Sequence, residues 1–187
     1  PVDQVVVPEH DNFVKAGNSA PKYNLSWGNT FSYKGLSLGF LLSARVGGIV
    51  VSQTQAVMDS YGVSQASADA RDMGGAMVNG RPIDAQKYYT IVGGAGNTGG
   101  IGSMYVYSAT NVRLGELSLG YDVPINKYVS WIQGLNVSFI GKNLFFLYRK
   151  APFDPELTAS TGTYFQGIDM FMSPSLRNLG FSVKVQF

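Results

Sequence analysis

The 187-residue sequence has no cysteine, a single histidine (His10) and only 14% charged residues. Without cysteine, the chain can form neither a disulfide framework nor a thiolate metal site. We expect no metal site at the lone histidine, and the net charge of +2 is too small to indicate a nucleic-acid partner. We therefore expect no metal, no cofactor and no nucleic acid.

The sequence also lacks a catalytic constellation. It contains no G-x-S-x-G elbow, and Asp154 and Glu156 lie too close in sequence to suggest a carboxylate pair across a cleft. Gly94–Gly99 matches G-x-G-x-x-G, and Tyr88–Val92 before it could form a strand. A dinucleotide fingerprint needs a helix next, however, and Ile101–Tyr107 is strand-like. We expect no catalytic residues and no enzyme activity.

No apolar run is long enough for a membrane-spanning helix. The most apolar window, Gly35–Val51, is short and contains Arg45. Mean hydropathy is only +0.04, although aromatic residues reach 13% and there are 23 glycines. An intermediate hydropathy is typical of a transmembrane β-barrel, because half of its strand residues face a polar lumen.

Strict alternation of apolar and polar residues is the strongest pattern present. It predicts two strands over about 21–33 and 36–46, joined at Lys34-Gly35, a natural tight-turn pair. The first strand has aromatic residues near both ends, among them Tyr23 and Phe31, which fits two membrane-interface girdles. The same face could also be the buried face of a soluble sandwich, so the hairpin alone leaves both alternatives open.

The alternation returns in three more segments, predicting strands over about 110–123, 135–147 and 176–187. The parity changes within the first of these, which favours a bulge near Gly115. The last strand keeps its alternation to the final residue. Its apolar positions are Leu179, Phe181, Val183, Val185 and Phe187.

Residues 47–104 form a long connection without this alternation. Ser52–Ser60 and Ser64–Met73 read as short helices, the second with Ser64 as its N-cap and Gly74 just past its end. A connection of more than about fifty residues is far above the usual length and commonly functional.

The connections alternate in length along the chain. The long ones, 47–104 and 148–175, fall on one side of the predicted sheet, and the shorter ones, 34–35 and 124–134, on the other. Outer-membrane barrels have this asymmetry, with short periplasmic turns and long extracellular loops. Five strands cannot close such a barrel, and open edges are not tolerated in lipid. We therefore expect the chain, which opens with Pro1 rather than Met, to be a fragment of a longer protein.

The segment after the fourth predicted strand carries a recognisable pattern. It reads KNLFFLYRKAPFDPE from Lys142 to Glu156, followed by TAS at 158–160. Shorter pieces agree in order and spacing: Pro21-Lys22-Tyr23, Tyr33-Lys34-Gly35, Tyr88-Tyr89, Asn111–Tyr121 apart from Gly115, and Ser175–Phe187. As a set, these residues closely resemble the C-terminal region of SusC/RagA-type TonB-dependent outer-membrane transporters of Bacteroidetes.

The resemblance implies an all-β fold, the C-terminal strands of a 22-stranded antiparallel transmembrane barrel with long extracellular loops. It implies active import of oligosaccharides or peptides across the outer membrane, energised by TonB. The expected partners are the N-terminal remainder of the transporter with its plug and TonB-binding segment, a SusD-like lipoprotein lid, and the lipid and lipopolysaccharide of the membrane. The alternative is a soluble β-sandwich that binds carbohydrate.

Two groups of residues are candidates for functional roles. Four loop aromatics could stack on sugars, contact a lid, or pack within the loops: Tyr88, Tyr89, Tyr164 and Phe165. The terminal strand is expected to be the end that the barrel-assembly machinery recognises, through Phe181, Val183, Val185 and Phe187. By the same resemblance, Phe181, Val183 and Val185 point to lipid, whereas Ser182, Lys184 and Gln186 point to the lumen. Lys34 and Lys127, near the inner turns, are expected to be interface anchors.

Overall fold

The computed structural model describes residues 15–94, 100–125, 129, 131–157 and 166–187. The chain divides into two compact units. We call Pro21–Gly47, Ala109–Pro155 and Pro174–Phe187 the sheet unit, and Pro1–Ala20, Gly48–Ser108 and Glu156–Ser173 the loop unit. The two long connections predicted from the sequence thus supply most of the loop unit.

The strands, in chain order, are β1 Tyr23–Tyr33, β2 Leu36–Val46, β3 Ile49–Ser52, β4 Ala76–Val78, β5 Arg81–Ile83, β6 Val106–Ser108, β7 Asn111–Val123, β8 Gly134–Arg149, β9 Ile168–Asp169 and β10 Asn178–Gln186. The helices are α1 Gln53–Ser60, α2 Gln65–Asp72 and α3 Ala85–Gly93, with a 3-10 turn at Gly102–Tyr105. No helix within the described residues has the length and apolarity needed to span a membrane.

The sheet unit is a five-stranded sheet with the order β1-β2-β7-β8-β10, in which all neighbours are antiparallel. Each of these strands begins and ends within two residues of its sequence-based bounds. β10 pairs with β8 along its whole length. The sheet is open across the described residues, because β1 and β10 each pair with one neighbour.

The turn between β1 and β2 depends on backbone conformation. Lys34 and Gly35 have φ angles of 47° and 84°, so both central residues are left-handed, as in the turns whose twist matches a hairpin. The Gly35 carbonyl accepts a 2.8 Å hydrogen bond from the Asp122 N–H. A Cβ at Gly35 would lie 3.0 Å from the Asp122 carbonyl oxygen, so glycine serves both the turn and this contact.

Two irregularities re-aim side chains along β7 and β8. Gly115 is skipped by both neighbouring strands, which confirms the bulge predicted there. A second shift follows Val112: Val112 pairs with Tyr148, but Arg113 pairs with Phe146, which leaves Leu147 as the extra residue. Because of this shift, Arg149 lies on the same face of the sheet as Phe146, which pairs directly with Arg113.

The sheet has one apolar and one polar face. One cross-strand row of paired residues is entirely apolar, and its side chains are 38–70% exposed: Phe31, Leu38, Leu119, Phe139 and Phe181. The adjacent row faces the opposite side and is small and polar: Ser32, Ser37, Gly120, Ser138 and Ser182. The described structure therefore leaves the apolar face of the sheet uncovered.

The loop unit has its own small sheet and three helices. β3 is its central strand, antiparallel to β6 and parallel to β9. α1 and α2 appear where short helices are predicted, with Ser52 and Ser64 as their N-caps. Ala70, Ala76 and Ala85 form a small buried cluster under α3.

Two expectations for this region are wrong. Tyr88–Val92 lies within α3, because Asp84 caps the Lys87 N–H and Gly94 ends the helix in a left-handed conformation. Only the end of Ile101–Tyr107 is a strand, β6, since Gly102–Tyr105 forms the 3-10 turn. A helix therefore precedes Gly94, so the order of elements does not fit a dinucleotide-binding fingerprint.

Candidate functional site

The polar face of the sheet carries paired charges along with its small residues. Lys142 Nζ lies 3.6 Å from Glu116 Oε2, on the neighbouring strand. Near the β1–β2 turn, Asn136 Nδ2 donates a 2.7 Å hydrogen bond to Asp122 Oδ1. Both acidic side chains on this part of the face thus have polar partners.

An arginine cluster occupies the other end of the polar face, close to where β2 and β8 end. Arg45 and Arg149 both pair with Asn111, so the three lie in one row. In the next row, the guanidinium carbon of Arg113 lies 5.4 Å from the ring centre of Phe146, and that of Arg149 lies 5.7 Å from it. Both distances are within cation–π range.

Hydrogen bonds join two segments of the loop unit, Gly48–Ser108 and Glu156–Ser173. Ser52 Oγ accepts the Gln55 N–H as the cap of α1 and donates a 2.8 Å hydrogen bond to Asp169 in β9. The Val51 N–H donates to the Gly167 carbonyl at 2.8 Å. Segment 166–171 is therefore attached directly to the start of α1.

A buried polar network joins α1 to the 3-10 turn. Tyr105 Oη donates a 3.0 Å hydrogen bond to Asp59, which also accepts a 2.8 Å bond from Gln55 Nε2. Burial, with the Asp59 carboxylate second, raises the pKa of Tyr105 above the ordinary tyrosine value. The same two causes raise the pKa of Tyr107 and of Tyr89. The network keeps Tyr105 protonated as a donor to a buried carboxylate.

The predicted loop aromatics are used in packing where the structure describes them. Tyr88 and Tyr89 are half-buried in α3, with ring centres 5.0 Å apart in an edge-to-face arrangement, and they pack against the alanine cluster. Tyr89 Oη donates to the Ala66 carbonyl at 3.2 Å. Tyr164 and Phe165 lie outside the described residues. A role for these aromatics in substrate or lid contact stays a prediction.

The last strand is an exposed edge, and its end contacts the preceding connection. Phe181, Val183 and Val185 are exposed along β10. The Phe187 ring stacks on Trp131, with centres 5.7 Å apart and planes 10° apart. The Gln133 N–H donates to the Gln186 carbonyl at 2.8 Å. Lys34 lies 5.3 Å from the Tyr33 ring centre, whereas Lys127 is outside the described residues.

Cavities in the loop unit are small. One of about 360 Å³ lies between α1, α2 and α3 and is lined by Asp59, Arg71, Tyr89 and their neighbours. In the described ranges, no group of three His, Cys, Asp or Glu side chains is placed to hold a metal ion.

Comparison with known proteins places this geometry in context. No protein-family model matches the chain. The chain is 28% identical over 177 residues to TonB-dependent receptor P39 of Formosa agariphila. The aligned region covers 91% of this chain and 17% of that protein. The predicted resemblance to TonB-dependent receptors is confirmed. The chain spans less than a fifth of the length of this TonB-dependent receptor.

Solved structures show a similar fold. The chain superposes on the RagAB peptide importer in its open-open state with a TM-score of 0.63 and 18% identity, covering 91% of this chain and 18% of that one. In the closed-closed state the TM-score is 0.52, with coverage of 71% and 14%. At this identity the likeness concerns the fold alone.

Sequence reasoning did not identify the arginine cluster. Alternation along β2 and β7 was sufficient to put Arg45 and Arg113 on the polar side. The placement of Phe146 with Arg149, two residues past the expected end of the strand, depends on the shift at Leu147, and no local residue signals that shift.

Proposed function

We propose that the chain is part of the wall and extracellular loops of a TonB-dependent outer-membrane importer, carried by a 22-stranded barrel in the full-length protein. The observation that carries this proposal is the exposed apolar row, Phe31 to Phe181, beside a polar row on the opposite face. A sheet with one face in lipid and one in a wet lumen requires this pattern. The cargo is an oligosaccharide or a peptide, and the site is the bacterial outer membrane.

The open edges of the sheet support the same proposal. Unpaired strand edges cannot remain in the hydrocarbon core, because their backbone groups would lack hydrogen bonds. β1 and β10 therefore pair with strands supplied by the rest of the transporter, which also holds the plug and the segment that TonB pulls.

A soluble carbohydrate-binding sandwich is the less favoured function. It needs a second layer over the apolar face to form a core. Instead, each of the five strands has large apolar side chains that are exposed in the described structure.

The loop unit supplies a surface for a SusD-like lipoprotein lid. Several large apolar side chains in and around α1, α2 and β4 are between 63% and 76% exposed: Tyr61, Val63, Met73 and Met77. Flexible methionine side chains adapt to a partner that changes position. We propose lid contact at these four side chains, beside the predicted contacts of Tyr88, Tyr89, Tyr164 and Phe165.

Growth on a defined nutrient tests the importer function. Cells that lack the full-length gene are compared with wild type, and with cells that lack TonB, across a panel of oligosaccharides and peptides as sole carbon source. The proposal predicts that at least one source is lost in both strains, and that expression of the full-length gene restores it in the first. Unchanged growth on every source, with the protein absent from the outer-membrane fraction, would contradict it.

The end of β10 is proposed to take part in barrel assembly. Substituting Phe187→Ala in the full-length protein removes the stack on Trp131 and is expected to lower the outer-membrane yield several-fold, while binding by the folded fraction is retained. Phe139→Ala, which removes an aromatic from the same face of β8, is the control and leaves the yield nearly unchanged. Normal yield of Phe187→Ala would refute the role.

A further inference from the structure

We propose that the arginine cluster is a binding site for an oxyanion, a carboxylate or sulfate group, carried by the imported molecule. This rests on the proposed function, because it places the site on the lumen face of the transporter wall. The cluster comprises Arg113 and Arg149, whose guanidinium groups lie near the ring of Phe146, and Arg45, which shares a cross-strand row with Arg149.

The geometry of the cluster is set by the backbone. β2, β7 and β8 each contribute one arginine to the same face, and the register shift at Leu147 brings Arg149 to the face on which Phe146 already lies. The Phe146 ring then lies against the guanidinium groups of both Arg113 and Arg149. A ring under two guanidinium groups holds them in place, so less side-chain entropy is lost when they bind.

The chemistry of the cluster fits an oxyanion. A guanidinium presents five N–H donors in a planar fork that matches carboxylate and sulfate oxygens. Arg45 and Arg113 also take part in other interactions of the chain. Arg149 is exposed at the end of β8 and accessible to a ligand.

The charge distribution of the chain supports the same ligand class. The sheet unit contains ten lysines and arginines and three acidic residues, a formal charge of +7. The loop unit contains four basic and nine acidic residues, a formal charge of −5. On the polar face, the Glu116 and Asp122 side chains already have partners. A wall of one sign concentrates ligands of the opposite sign.

Binding to the purified full-length protein tests the site. Fluorescent hexaglutamate is compared with neutral hexaglutamine, and dextran sulfate with dextran, so that the two arms separate carboxylate from sulfate recognition. The proposal predicts tighter binding of at least one anionic probe than of its neutral counterpart. It predicts that the double substitution Arg113→Gln with Arg149→Gln raises the Kd of that probe about tenfold or more.

Two further variants keep the test decisive. Arg149→Gln alone removes an exposed side chain, so it tests the site even if the double variant misfolds, and it is expected to weaken anionic binding several-fold. Lys34→Gln removes one positive charge at the opposite end of the sheet and should leave binding unchanged. Equal Kd values for wild type and the arginine variants, or equal weakening by Lys34→Gln, would overturn the proposal. Because this binding does not need TonB, failure of the oxyanion site would leave TonB-dependent growth intact. It can therefore be distinguished from failure of the proposed import function.

Discussion

Tyr105 illustrates how one side chain supports the loop unit. Its hydroxyl donates to Asp59, a carboxylate that is only 5% exposed. A buried carboxylate is tolerated when donors satisfy it, and Tyr105 and Gln55 are the two donors observed. Ionisation of Tyr105 would replace a donor with a second negative charge beside Asp59.

Raising the pH should therefore weaken the loop unit through Tyr105. Its pKa is raised by folding, so the folded form keeps a proton that the unfolded form loses near pH 10. The stabilisation is complete below pH 10 and declines as the pH rises above it. The difference in tyrosinate absorbance between the wild-type protein and Tyr105→Phe is the contribution of Tyr105. We predict that this contribution develops well above pH 10 in the full-length protein. Titration of that component near pH 10 would contradict the buried network.

At the scale of elements, the hydrogen bonds of Ser52 connect two segments more than a hundred residues apart. Ser52 caps α1 and also donates to Asp169 in β9. Ser64 caps α2 by the same chemistry, with its side chain accepting the Ser67 N–H of that helix. The two serines thus separate capping from the attachment of segment 166–171.

We predict different consequences for the two caps. Loss of a cap costs about 1 kcal/mol, and loss of a donor to the buried Asp169 costs about 1–3 kcal/mol more. In the full-length protein, Ser52→Ala should increase amide hydrogen exchange in both α1 and residues 166–171. Ser64→Ala, the matched control, should affect α2 alone. If Ser52→Ala affects α1 only, the attachment to β9 is wrong.

Elements with a strong local signal were predictable from the sequence, and those defined by distant partners were not. The five long strands have sustained alternation, and α1 and α2 have serine caps. β3 and β9 are four and two residues long. β3 forms by pairing with β6 and β9, and β9 by pairing with β3, so both depend on segments that are distant in sequence. α3 was missed because Tyr88–Val92 is apolar and aromatic, which suits a strand as well as a buried helix. The arginine cluster likewise needed the register of three strands.

At the scale of the whole molecule, the proposed function depends on which face of the sheet meets lipid. The apolar face is built from large residues on every strand, and the polar face from small hydroxyl residues, paired charges and the arginine cluster. The proposed importer wall needs the apolar face in lipid, and the proposed oxyanion site needs the polar face in water. A soluble module would also keep the polar face in water, but its apolar face would lie in a packed core.

Spin labels on adjacent residues of a strand, one on each face of the sheet, measure directly which face meets lipid. Single cysteines are placed at Leu119 and Ser118 of β7, and at Phe139 and Ser138 of β8, in the full-length protein in bilayers, with any cysteine elsewhere removed. The account predicts that labels at Leu119 and Phe139 are relaxed mainly by oxygen dissolved in lipid. Labels at Ser118 and Ser138 should be relaxed mainly by a water-soluble nickel complex. Apolar-face labels protected from both reagents, or no alternation along the strand, would contradict the central claim.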